Sequence, residues 1–415
     1  MRVLFVVLSE NSHLYVQVPL AWAMTTAGHE VRVASNPGMG TAISRTGLTA
    51  VGVGQDHDLA DTVRRLQREG VFDTEMSNWS RALPHQTDWD EALSKWDAMR
   101  MAWDIYSSEG FVADLVDYCR DWRPDLIVWD QLSIAGAIAG HVLGIPHTRL
   151  VWAVDVYDTM RTTFLTLQGE SPDRADIDPL RDWLAQAVGR YGREYHEELV
   201  TGQWSTDLVP ASLQLPLASH REAVRFTPFH GPSIAPAWAA RRPERPRVLL
   251  TTGLSYRGDS LYLPVRDIMA ALGDLDAEII ATLDPNEVDP SSVPSNTRLV
   301  GFVPLNAVLP ECSAVIHHVG TGTRMTSALH GVPQYMLPNK DSDLFAFAEA
   351  MESVKAGLYT HSTTATAEQI RDGVHRLLTE PAFADGAGRL RQEMLDTPSP
   401  NDSVLTLLRL AEQHR

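Results

Sequence analysis

The chain has 415 residues, with 35 Lys and Arg against 53 Asp and Glu, and a formal net charge of −18. A hydrophobic content of 44% with 21% charged residues excludes wholesale disorder, and the length exceeds what one core usually supports, so two domains are expected. The acidic balance argues against nucleic acid as a main partner, because neutralising phosphates needs clustered Lys and Arg. Cys119 and Cys312 are the only cysteines, too few for a disulfide framework or a cysteine metal site, and they point to a reducing cytoplasm. No apolar run approaches the roughly 18–20 residues of a membrane helix. The opening run Met1–Leu8 is also too short for the apolar core of a signal peptide.

In chain order, Arg2–Leu8 is a continuous apolar, β-branched run, as expected of a strand covered on both faces. The polar loop 9–13 follows, then a helix carrying Val16, Val18, Leu20, Ala21, Trp22 and Met24 that Gly28 stops, then a strand at Glu30–Ser35. Strand, helix, Gly, strand is a right-handed βαβ unit. Residues 55–120 are polar, Trp-rich and weakly periodic, which predicts helices inserted at the open end of the sheet. The parallel pattern returns with a strand at Asp125–Trp129, a small-residue helix at Ser133–Leu143 and a strand leading to Leu150.

Pro228, Pro232, Pro236, Pro243 and Pro246, interleaved with charged residues, mark 228–246 as a linker. Beyond it, strands are predicted at Arg247–Thr252, Ala277–Thr282, Thr297–Phe302, Ala314–His318 and Gln334–Leu337, with helices at Arg324–His330 and 366–378 among the intervals. The reading is an α/β chain of two doubly wound, Rossmann-like parallel-sheet domains facing each other across a cleft. The first spans 1–227 and the second 247–385, with a further helical segment at 386–415.

The strongest local signal is His317-His318-Val319-Gly320-Thr321-Gly322-Thr323, directly between a buried strand and a helix. Glycines in such a turn let backbone N–H groups approach an anion, and the helix N-terminus adds partial positive charge. Thr321 and Thr323 offer hydroxyls and His317 an imidazole to phosphate oxygens. No Gly-Lys-Ser/Thr follows, so this is not a Walker loop. The two histidines are strand neighbours on opposite faces and cannot chelate one metal together.

This turn, with the Leu-His-Gly-Val-Pro-Gln that ends at Gln334, resembles the nucleotide-sugar signature of GT-B glycosyltransferases acting on natural products. Residues 12–33, Trp122–Trp129, Thr201–Ser205, Phe229–Ser233, Gly301–Leu305 and the tail Pro398–Pro400 resemble the subgroup acting on macrolides and related polyketides, typified by desosaminyl- and mycaminosyltransferases. The resemblance implies a GT-B fold, with 1–227 binding the acceptor, 247–385 binding the nucleotide sugar and a C-terminal helix in 386–415 packing back on the first domain, and an inverting, metal-independent transfer from a dTDP-deoxysugar, with no cofactor. It places His317 at the diphosphate and Gly320, Thr321, Gly322 and Thr323 around its oxygens. Val303 would receive the base through its backbone, Gly253 and Ser255 would border the donor, and Asp343 would match the family's sugar-binding acid. His13, on the first strand-to-helix loop, would be the catalytic base, since a His titrating near neutrality suits proton removal from a hydroxyl. A carboxylate should orient it. Asp130, just after its strand, is one candidate that the sequence does not single out. The subgroup often depends on an auxiliary protein related to haem monooxygenases, and residues 55–110 are where it would dock. A homodimer is compatible with the sequence but not implied by it.

The chain departs from the family pattern in three places. Val319 stands where Gly is usual, and a β-branched residue resists positive φ, so an altered turn is expected. The Gln that often grips sugar hydroxyls is missing from 343–349. That stretch instead pairs Leu344, Phe345 and Phe347 with Asp341, Asp343 and Glu349, which suits a deoxysugar bearing a cationic amine, or else is a core helix with one acid facing the cleft. Trp79, Trp89, Trp96, Met99, Met101 and Trp103 either build a wide apolar acceptor site or pack as helices. Asp341-Ser342-Asp343 imitates the Asp-x-Asp metal motif of another fold, so metal is not expected. A non-catalytic partner of another transferase is the alternative reading. An epimerase would need a carboxylate set not found here, and a nicotinamide dehydrogenase fails because no Gly-x-Gly-x-x-Gly follows the first strand.

Overall fold

The computed structural model describes residues 1–56, 68, 79–83, 85–216, 218–253, 265–286, 288–339 and 342–415. The first domain is a seven-stranded parallel sheet in the order β3-β2-β1-β4-β5-β6-β7. Its strands are β1 (Arg2–Val6), β2 (Glu30–Ser35), β3 (Thr49–Gly52), β4 (Leu126–Asp130), β5 (His147–Val151), β6 (Trp204–Asp207) and β7 (Arg221–Ala223). The second is a six-stranded parallel sheet in the order β10-β9-β8-β11-β12-β13. Its strands are β8 (Arg247–Thr251), β9 (Glu278–Thr282), β10 (Thr297–Val300), β11 (Ala314–His317), β12 (Gln334–Met336) and β13 (Gly357–Tyr359). Both are doubly wound sheets whose order reverses beside the first strand, between β1 and β4 in one and between β8 and β11 in the other.

The central strands read as they are buried. Val3, Leu4, Phe5 and Val6 of β1 and Ile127, Val128 and Trp129 of β4 are fully covered, because helices lie on both faces of a parallel sheet. The helix after β1 spans Asn11–Thr26, and Gly28 takes φ +91° just past its end, a conformation that costs glycine little. Its start at Asn11 puts His13 in the first helical turn rather than on the loop.

The predicted tail is two helices, Pro381–Asp396 and Pro400–Gln413. They are broken at Pro398 and restarted by a capping box between Ser399 and Asp402. The last helix lies against the first domain: His414 stacks on Trp204, Arg415 pairs with Asp125 and Arg225 N–H bonds Pro398 O. One apolar cluster therefore runs from β1 and β4 through to Val404 and Leu407.

The linker holds both domains. Phe229 packs edge-on against Tyr15, and His230 Nε2 accepts the backbone N–H of Asn306. The sheets also meet at their strand C-terminal ends. Val154, just past β5, donates its N–H to Asp343, just past β12. Among the described residues no helix is long and apolar enough to cross a membrane.

Candidate active site

At the reversal point of the first sheet, the helix after β1 and the end of β4 bring His13 and Asp130 together. His13 Nδ1 lies 2.9 Å from Asp130 Oδ2; the His13 side chain is 12% exposed and that of Asp130 is fully buried. An ionised carboxylate can only accept there, so Nδ1 carries a proton and, in the neutral ring, Nε2 keeps its lone pair. Gln17, one turn further along the same helix face, donates Nε2–H to the same Oδ2 at 3.2 Å. Trp152, the residue after β5, donates Nε1–H to it at 3.2 Å. Asp130 Oδ1 takes the backbone N–H of Leu132 at 2.9 Å. A carboxylate with this many donors is held in one orientation. The arrangement can extract a proton from a hydroxyl placed at Nε2.

At the reversal point of the second sheet, the ends of β8 and β11 carry Gly253 and His318. Gly253 has φ +70°, and a Cβ placed on it would lie 2.5 Å from His318 Cε1; one on Gly320 would lie 2.9 Å from His318 Nε2. The imidazole therefore sits wedged between these two glycines. Burial lowers its pKa to about 4, so the ring is neutral at pH 7. Gly320 is the N-cap of the Thr321–Leu329 helix. Thr321 is half-buried, Gly322 exposed and Thr323 buried. Backbone N–H groups at this helix start suit an anion.

His317, which the resemblance sets at the diphosphate, has both ring nitrogens hydrogen-bonded within the second domain. It is 1% exposed, with Nε2 bonded to Gln334 Oε1 at 2.8 Å and Nδ1 accepting Val319 N–H at 3.0 Å. Gln334 in turn donates to Arg324 O. Burial pushes the His317 pKa down to about 3. Both nitrogens are spent on bracing the turn from behind, and His318 is the imidazole that reaches the glycines. Strand alternation separates the two, but does not say which one faces the sheet's interior.

Val319 does adopt the left-handed backbone, at φ +69°, while fully buried. The turn keeps its conformation, and the side chain carries strain on the order of 1–3 kcal/mol. Val303 is buried among Val308, Leu309 and Val332, while its neighbour Phe302 stands 52% exposed. Ser255 and Asp341 lie outside the described residues.

Asp343, matched by the resemblance to a sugar-binding acid, makes its contacts at the domain boundary. It is 2% exposed, pairs with the fully buried Arg324 at 2.7 Å and accepts Val154 N–H at 2.8 Å. Arg324 also lies over the Phe347 ring, 4.2 Å from its centroid. The acid and the phenyl ring that suggested an aminosugar pocket are committed to the domain boundary and the core. Phe345 meets His361 and Tyr359, and burial raises the Glu349 pKa. Of the aromatic stretch, Trp79, Trp96, Met99 and Trp103 are buried. Trp79 sits edge-on to both Trp96 and Tyr157, and Trp89 stacks on Phe164. For Trp79, Trp96, Met99 and Trp103, core packing is what the structure displays.

Sequence reasoning missed Gln17, Trp152, Arg324 and the role of His318. The i, i+4 spacing of His13 and Gln17, and the place of Trp152 at the same strand edge as Asp130, were the available signals.

The chain matches the profile described as "Erythromycin biosynthesis protein CIII-like, N-terminal domain" over residues 22–253, and the matching C-terminal domain profile over 266–410. It is 43% identical to aclacinomycin-T 2-deoxy-L-fucose transferase of Streptomyces galilaeus, over 100% of this chain and 97% of that one. It is 39% identical to 10-deoxymethynolide desosaminyltransferase of Streptomyces venezuelae, over 100% and 98%. Among solved structures, glycosyltransferase VinC in complex with dTDP superposes with a TM-score of 0.89 at 37% identity over 100% of both chains. Spinosyn forosaminyltransferase SpnP does so at 0.83 and 35% over 99% of each.

Proposed function

The chain belongs to the erythromycin biosynthesis protein CIII-like family of glycosyltransferases, and from that premise we propose that it moves a deoxysugar from dTDP to a hydroxyl of a macrolide- or polyketide-type aglycone. The observation that carries the reading is the His13–Asp130 pair, which leaves one basic imidazole nitrogen at the reversal point of the acceptor domain's sheet.

In the proposed step His13 Nε2 takes the proton of the acceptor hydroxyl as its oxygen attacks the anomeric carbon. The bond from that carbon to the β-phosphate oxygen breaks, with inversion, and dTDP leaves. Asp130 stabilises the imidazolium as it forms. The turn from His318 to Thr323 stabilises the leaving diphosphate through N–H donors aimed at the developing charge, which is usually the largest single contribution. No metal is assigned a part, and among the described residues no cluster of three His, Cys, Asp or Glu has metal-binding geometry. The reaction is placed in the cytoplasm, with an auxiliary activator on the 55–110 segment, part of which lies outside the described residues.

Calorimetry with dTDP and UDP on the wild type and on Gly322→Val tests the donor half. Binding of dTDP, weaker binding of UDP and loss of both in the variant are expected. Absence of binding by both dTDP and UDP to the wild type would sink the transferase reading and favour a non-catalytic partner of another enzyme.

A further inference from the structure

We infer that Trp152 is a positioning residue for the base: its indole holds both members of the His13–Asp130 pair at once. It does so through two different contacts. The Nε1–H donates to Asp130 Oδ2 at 3.2 Å, the same oxygen that receives His13 Nδ1. The indole ring also meets the His13 ring edge-to-face, with centroids 4.6 Å apart and planes at 82°.

A single hydrogen bond at Nδ1 fixes one point of an imidazole and leaves it free to tilt about that point. The edge contact supplies the second constraint, so the direction of the Nε2 lone pair is set by Asp130 and Trp152 together. Trp152 also shares the charge of Asp130. Three N–H groups converge on Oδ2, and two of them, from Trp152 and Gln17, stay neutral when His13 takes up a proton. Each draws negative charge away from the His13 contact and tempers how tightly the carboxylate holds an imidazolium. The fold builds this deliberately placed contact from adjacent strands. Asp130 pairs in register with Leu150 on β5, and Trp152 follows two residues later, at the same C-terminal edge.

Charged groups on the neighbouring elements are engaged elsewhere. Glu10 precedes the helix, Asp155 is taken by Arg149, and Arg324 by Asp343. Asp402, Arg409 and Glu412 of the last helix are exposed. Asp130 is the acid in contact with the ring.

This inference rests on the reading of His13 as the base, and its own readout is a titration; turnover enters only to separate the two. The probe is the proton itself, followed at His13 by NMR of histidine-labelled protein, with the signal assigned by its loss in His13→Gln. Replacing the residue at 152 by benzothienylalanine, which has sulfur in place of N–H and the same shape, keeps the packing and removes the donor; Trp152→Phe is the genetically encoded counterpart. The charge on Asp130 is then less shared, and the proton affinity of His13 is expected to rise about threefold in both. The neutral ring should keep its proton on Nδ1. An unchanged titration midpoint in the folded benzothienylalanine protein would show that Trp152 only fills space, and the inference falls. A rise there together with full turnover by His13→Ala would instead keep the inference about the pair and overturn the role of His13 as base.

Discussion

Asp343 Oδ2 accepts the backbone N–H of Val154 at 2.8 Å, so a carboxylate of the second domain is hydrogen-bonded to the main chain of the first. The same oxygen pairs with Arg324, which is fully buried. Asp343→Ala leaves that guanidinium without a counter-charge in a dry site, where removing one partner costs about 3–5 kcal/mol. Urea unfolding is expected to record that loss. A stable Asp343→Ala protein that binds donor sugar poorly would instead return the residue to the sugar-binding role anticipated from its motif.

The two neighbouring histidines should separate cleanly. His317→Ala removes a buried ring and its bonds to Gln334 and Val319, and is expected to lower stability by about 2–4 kcal/mol. His318→Ala should leave the unfolding midpoint closer to that of the wild type and raise the Kd for dTDP about tenfold, the worth of one good hydrogen bond to a charged acceptor. Equal loss of dTDP affinity in both folded variants would contradict this division.

Strain at Val319 is measurable by comparison within one turn. Val315 and Val319 are both fully buried, but only Val319 has positive φ. Cutting either to Gly loses the same side chain, while Val319→Gly also releases the left-handed backbone. Val319→Gly is therefore expected to cost about 1–2 kcal/mol less than Val315→Gly in urea titrations. Identical losses would mean that the backbone at 319 stores no strain.

Stability should fall on acidification below neutrality. Burial lowers the pKa of His147 and of His317 to about 3 from an ordinary 6.5. Below pH 6.5 the unfolded chain takes up protons that the folded one refuses, so their contribution is complete above 6.5 and is lost progressively down towards 3. Each adds a slope of about 1.4 kcal/mol per pH unit. Asp207 works in the opposite sense. Burial raises its pKa to about 7, so it favours the fold at low pH and loses that contribution as pH rises from about 4 through 7. Unfolding free energies measured between pH 4 and 7 should show the histidine slope reduced in His147→Gln and the opposing slope removed in Asp207→Asn.

Much of the architecture was legible because contiguous residues encode it. The apolar runs at Arg2–Leu8 and Ala314–His318 coincide with β1 and β11 to within two residues, since a strand buried on both faces has to be apolar throughout. Short strands such as β6, β7 and β13 went unread; Trp204–Asp207 is fully buried yet three of its four residues are polar, because Thr206 and Ser205 bond Thr148 and Arg149 on the neighbouring strand and Asp207 accepts from Gln214. His13 was legible as the candidate base from its place after the first strand, and the glycine turn from its position between a strand and a helix.

By itself, then, the sequence determined two parallel-sheet domains, the linker between them and the two strand-to-helix turns of the candidate site, because periodicity and turn residues act over a few positions. Only the tertiary structure decided the partners. Asp130 is 117 residues from His13, and the pairing of β4 beside β1 is what brings the carboxylate to the imidazole. Trp152 reaches the same oxygen from the next strand, Asp343 turns to Arg324 and Val154, and His318 rather than His317 meets the glycines. Each outcome depends on which side chains the packed sheets bring within about 3 Å of one another, a distance that no local pattern specifies.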